Sequence, residues 1–195
     1  MSEMKSAWEK AMEKVEKLDK PSDEELKQLE HVPAGNRLAA AYLREENYDM
    51  EAELAKYKDT EIRKHIIHGA EEIFLRSITL PNNDQVKQAA KKAMTGIRII
   101  KENKKQLEAI FDRIENLLTY YEQARQQAFA QFKQSFETKL QQAAQALQQQ
   151  GGNTAAVEQQ LQQQFQEEWR RTSSQLDAQY EKTLEEHKQQ ITQIA

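Results

Sequence analysis

The segment TEIRKHIIHGAEE, residues 60–72, carries the side chains best spaced for chemistry: Glu61, His65, His68 and Glu72. Steps of four, three and four set them near one line along a helix, where imidazoles and carboxylates can share a transition metal. Ile62, Ile66, Ile67, Ala70, Ile73, Phe74 and Ile78 form an apolar face on the same segment. At about 100° per residue this face lies nearly opposite the His/Glu line. The line is therefore expected to face solvent, with Glu61–His65 and His68–Glu72 as ordinary surface pairs. No metal is expected here. Neither ExxH nor HExxH, the spacings of inward-facing ligand sets, occurs in the sequence.

A second group is basic. Lys87, Lys91, Arg98, Lys101 and Lys105 project within about 80° of one another along a helix. Such a stripe can meet phosphates or an anionic membrane surface. It can equally pair with the acids of the first hundred residues. No aromatic platform accompanies it, which argues against single-stranded nucleic acid.

Other chemistry lacks its parts. The sequence holds no cysteine, so disulfides, thiolate catalysis and cysteine zinc sites are excluded. Its five glycines form neither GxGxxG nor GxxxxGK, and no GxSxG elbow is present. No catalytic site and no cofactor are expected, and the chain reads as a non-enzyme. A net charge of −4 argues against a globally basic nucleic-acid binder. The start, MSEMKSAWEK, is charged from its third residue and does not read as a signal peptide. No apolar run is long enough to span a bilayer, so a cytoplasmic location is expected.

These groups must be held by helices. Hydrophobic residues make up 38% of the 195, lean for a compact globule but suited to helices that bury one stripe. Met4, Trp8, Met12, Val15 and Leu18 predict a first helix over Glu3–Leu18, ended by Pro21. Ser22-Asp23-Glu24-Glu25 is a capping box. It opens a short helix with Leu26 and Leu29 that stops at Val32-Pro33, before a third helix with Leu38, Tyr42 and Leu43. A longer helix is expected from about Met50 to Thr79, stopped before Pro81.

Beyond Asn82-Asn83 the apolar rhythm is regular. Val86, Ala90, Ala93, Ile97, Ile100, Lys104, Leu107, Ile110, Ile114, Leu117, Tyr121, Ala124 and Ala128 alternate steps of four and three. Only Lys104, in KENKK, interrupts it, and a bend is the alternative there. Unbroken, this helix would run over residues 84–150, about 100 Å long.

The apolar positions then mirror one another about Gly151-Gly152. Leu147 faces Val157, Ala143 faces Leu161, Leu140 faces Phe165 and Phe136 faces Trp169; Ala128 meets Leu176 and Tyr121 meets Leu184. Gly151 can close one helix, and Asn153 or Thr154 can cap its return. The glutamine-rich tract Gln145–Phe165 thus reads as the ordered tip of a hairpin. From Gln126 to Gln166 only Lys133, Glu137, Lys139 and Glu158 are charged. Such an arm carries little electrostatic specificity but can pack closely on another helix or its own copy.

The stretches MKSAWEKAMEKVEKL, YYEQARQQAFAQFKQSFETKL and FQEEWRRTSSQLDAQYEKTLEEHKQQI resemble an uncharacterised bacterial family of helical proteins. The resemblance spans most of the chain and supports a helical fold. It carries no activity and no functional residues.

The sequence therefore predicts an all-α protein. A helical base spans residues 1–104, and an antiparallel coiled-coil hairpin spans 105–195 with its tip at 150–154. A scaffold or adaptor is the leading reading, its arm engaging an unidentified protein partner or a second copy of the chain. Phe129, Phe132, Phe165 and Trp169 are the candidate contact residues. A hairpin-type holdase chaperone using the same aromatics is the first alternative. A ribosome, nucleic-acid or membrane-surface binder using the Lys87–Lys105 stripe is the second.

Overall fold

A computed structural model describes residues 22–150 and 154–194. Among them are six α-helices and no strand: α1 Asp23–Arg44, α2 Met50–Ala55, α3 Thr60–Ser77, α4 Asp84–Ile100, α5 Lys104–Gln150 and α6 Thr154–Thr192. The expected Glu3–Leu18 helix and the Gly151–Asn153 turn lie outside the described residues. So do the side chains of Leu147, Val157 and Ala143, three members of the two tip pairs.

The capping box forms as its sequence dictates. Ser22 Oγ accepts from the Glu25 amide at 3.2 Å while the Ser22 amide donates to Glu25 Oε2 at 2.7 Å. The expected stop at Val32-Pro33 does not occur: α1 runs through Pro33 as one helix. A mid-helix proline removes a hydrogen bond, a cost that tertiary packing on both sides here offsets. That packing is unusually close. A Cβ built on Gly35 would lie 1.9 Å from the Ile66 carbonyl oxygen, and one on Gly69 would lie 2.2 Å from that of Val32. Two glycines thus bring α1 and α3 into backbone contact, with Ala39, Ile66 and Ala70 wholly buried beside them.

The expected Met50–Thr79 helix is two helices. Asp59 accepts from the amides of Glu61 at 2.9 Å and Ile62 at 3.1 Å, which starts α3 afresh after α2.

The expected 84–150 helix is also broken, at residues 101–103, and its two parts fold back on each other. Arg98 meets Glu108 and Lys87 meets Glu122, so α4 and the first turns of α5 run antiparallel. Asn103 accepts from the Gln106 amide at 3.2 Å and starts α5. The Lys104 ammonium donates to the carbonyls of Arg98 and Lys101 at the end of α4. Lys104, which interrupts the apolar rhythm, is a cap at the break. The heptad residues are still a seam, but one closed on itself: Ala93, Ile97, Leu107 and Ile114 are all fully buried. The same core takes in Phe74, Ile78 and Phe111, and Leu184, Ile191 and Ile194 from the end of the chain.

α5 and α6 pack antiparallel. Phe136 meets Phe165, Tyr121 meets Tyr180, and Lys139 meets Glu168. At about 1.5 Å per residue, the 47 residues of α5 span about 70 Å.

Candidate functional site

Five aromatic side chains gather where α5 and α6 leave the core. Phe129, Phe132 and Phe136 follow one another at steps of three and four, on one face of α5. Phe165 and Trp169, four apart, share a face of α6. The Phe132 ring lies 5.0 Å from Phe165 and 5.5 Å from Trp169. Phe136 stands edge-on to Phe165 at 5.0 Å, and Phe129 edge-on to Trp169 at 4.9 Å. Edge-to-face pairs of this kind contribute about 0.5–1.5 kcal/mol each beyond the area they bury. The partners sit about one helical turn from the mirror expectation, since Phe136 packs on Phe165 and Phe132 reaches Trp169.

The four candidate contact residues are thus in one cluster, unequally covered. Phe136 is buried, while Phe132, Phe165 and Trp169 are half-buried and Phe129 is 40% exposed. A groove of about 440 Å³ opens beside them, floored by Phe129, Phe136, Leu140 and Phe165. Its rim holds Gln162, Lys133 and Glu137, the last two 3.8 Å apart. On the other side of Phe129, a more polar recess of about 390 Å³ runs between Trp169, Arg125 and the Pro81–Asp84 loop. Phe129 is the ridge between two hollows. The arrangement can seat an apolar side chain or an amphipathic helix, with one charge of each sign at the rim.

Toward the core, a hydrogen-bonded relay fixes the helix pair. Tyr121 Oη donates to Asp177 at 2.7 Å and accepts from Arg125 at 2.9 Å. Burial, then the Asp177 carboxylate, pushes the Tyr121 phenol up to about 12.

The His/Glu line does not face solvent as a unit. Glu61 is exposed and pairs with Lys64 at 2.7 Å, and His68 lies 3.5 Å from Glu72. His65 is instead buried, its Nε2 3.3 Å from a Glu24 carboxylate oxygen of α1. The expected Glu61–His65 surface pair is replaced because α1 packs over that edge of α3, which the sequence periodicity of α3 alone does not reveal. Among the described residues, no three His, Asp or Glu side chains converge as a metal site.

The basic stripe is divided by the fold. Lys87 pairs with Glu122 at 2.6 Å, and Arg98 grips Glu108 with two bonds of 2.7 and 2.8 Å while lying over the Phe111 ring. Lys101 is buried, 2.9 Å from the equally buried Glu71, and donates to the Ile194 carbonyl at 2.6 Å. Lys91 and Lys105 are exposed, on helices either side of the break. Sequence reasoning missed Glu71 and Lys101 as a buried pair, because neither position departs from a surface pattern on its own helix.

Residues 51–193 match the model of DUF6657, a family of unknown function, and the chain belongs to that family. No curated protein and no solved structure matches it. Among the described residues, no helix is long and apolar enough to cross a membrane.

Proposed function

We propose, on geometry alone since the family has no known function, that this chain is a non-enzymatic scaffold or adaptor. Its α5–α6 pair serves as a coiled-coil arm that engages a protein partner. The observation that carries the reading is the groove beside Phe129: apolar floor, opposite charges at the rim, and an aromatic 40% exposed at its edge. Large apolar side chains on a long helix pair are costly to leave in water, and clusters of this kind mark binding surfaces. A cytoplasmic setting and assembly of copies along the arm fit the same picture. The stripe reading has less support, because three of its five cations are engaged by carboxylates.

Phe129→Glu tests the proposal, since it charges the ridge without touching the buried core. Affinity capture from native lysate should yield a protein retained by the parent chain and lost with the variant. Identical captures would refute the arm as the contact. The holdase reading uses the same ridge and separates by stoichiometry: it requires that the parent, and not Phe129→Glu, suppress aggregation of unrelated heat-unfolded clients.

A further inference from the structure

A second apolar surface lies at the opposite end of the sequence. On α1, Leu26 is 50% and Leu29 is 72% exposed, and Pro33 continues their line at steps of three and four. Beside this ridge α1 and α3 leave a groove of about 480 Å³, with Leu29, Val32 and Pro33 on one wall and His68 and Glu72 on the other. A leucine pair so exposed, next to a ready groove, is a face lacking its cover.

The chain carries a segment that fits it. The 21 residues before Ser22 include the stripe Met4, Trp8, Met12, Val15 and Leu18, joined to α1 through the four residues Asp19-Lys20-Pro21-Ser22. A two- to five-residue connection suits an antiparallel helix pair. Counted outward from that connection, Val15, Met12 and Trp8 fall at the same distances before it as Leu26, Leu29 and Pro33 fall after it. The steps of three and four match in mirror order, as two facing stripes require. Lysines and acids are balanced in the segment, five of each before Ser22, so the acidic rim at Glu25 and Glu72 does not repel it. The tether also gives the segment a high local concentration that a separate partner lacks.

We propose that residues 4–18 of the same chain fold back along α1 and occupy the Leu29–Pro33–His68–Glu72 groove. The inference is independent of the arm's role.

The absence of native cysteine makes the test direct. In the full chain, Met12→Cys with Leu29→Cys should form a disulfide within one chain at low protein concentration. Met12→Cys with Tyr120→Cys, on an exposed face of α5, should not. A second measurement covers the case in which the double variant fails to fold. The single Leu29→Cys thiol should react with a soluble disulfide reagent about tenfold slower than Tyr120→Cys, as a face covered nine-tenths of the time requires. Adding Met12→Asp should restore the fast rate. A disulfide joining two chains would overturn the proposal in favour of a second copy as the occupant. A fast Leu29→Cys, or a slow one indifferent to Met12→Asp, would overturn it as well.

Discussion

Lys101→Met should be among the most damaging single substitutions in the chain, although Lys101 reads from the sequence as a surface cation. Its side chain is 7% exposed and that of Glu71 is 9% exposed, with 2.9 Å between their charges. Removing the ammonium leaves the Glu71 carboxylate buried without a counter-charge, at a cost of about 3–5 kcal/mol. The Ile194 carbonyl loses its donor too, so the end of α6 should loosen from the α4–α5 break. Glu71→Leu alone strands the lysine and should cost about as much. Together, Lys101→Met and Glu71→Leu replace the pair with apolar volume and should recover to within about 1–2 kcal/mol of the parent. The cycle is read by urea unfolding followed at the helical circular-dichroism band, with a coupling energy of about 4 kcal/mol or more expected from those costs. The loss should hold between about 0.05 and about 0.5 M salt, because a buried pair is little screened. A Lys101→Met cost below about 1 kcal/mol, or a double variant as unstable as the two singles summed, would refute the reasoning.

Gly69→Ala should unseat α1 from α3, because its Cβ would lie 2.2 Å from the backbone oxygen of Val32, which cannot rotate away. A loss of about 3 kcal/mol or more, with faster amide exchange in α1, is expected by analogy with severe overpacking. Spectrophotometric titration should find a tyrosine ionising near 12 that disappears in Tyr121→Phe. Because the folded value lies above the unfolded one, the stabilisation from Tyr121 is complete below about pH 10 and is lost as pH rises toward 12. Glu108 behaves in the opposite sense. Its hydrogen bonds from Arg98 hold its carboxyl below the usual range, so its contribution is present above about pH 4.3 and lost as pH falls through the lower folded value. Glu108→Gln should therefore flatten the acid limb of the stability profile, by a modest amount since the pair is partly exposed.

Much of the local structure is written in nearest neighbours. Ser22 and Glu25 form their box, Asn83 accepts from the Val86 amide, and the helices present the stripes that their three- and four-residue steps describe. Of the apolar seam from Val86 to Tyr121, Ala90, Ala93, Ile97, Ile100, Leu107, Ile110, Ile114 and Tyr121 are buried, while Val86 and Leu117 are half-buried and Lys104 is exposed. Helical periodicity depends only on which side chains share a face. The cap at Asn103–Gln106 and the one at Asp59 were legible in principle, in the same short-range chemistry. Both lie inside stretches that read as single helices, although Lys104 already interrupts the apolar rhythm beside the second.

What the sequence by itself determined is therefore the helical class, most helix starts, and the faces to be buried. Which faces meet was decided by the tertiary structure. A heptad rhythm is the same whether a helix continues or doubles back, and only the packing of α4 on α5 distinguishes the two. Pro33 ends a lone helix, yet α1 passes through it because glycines at 35 and 69 bring α3 close enough to hold both sides. His65, Glu71 and Lys101 look like surface residues on their own helices and become buried when α1 and the end of α6 arrive from elsewhere in the chain. Periodicity records the exposure that one helix has alone; burial is a property of the neighbours it acquires.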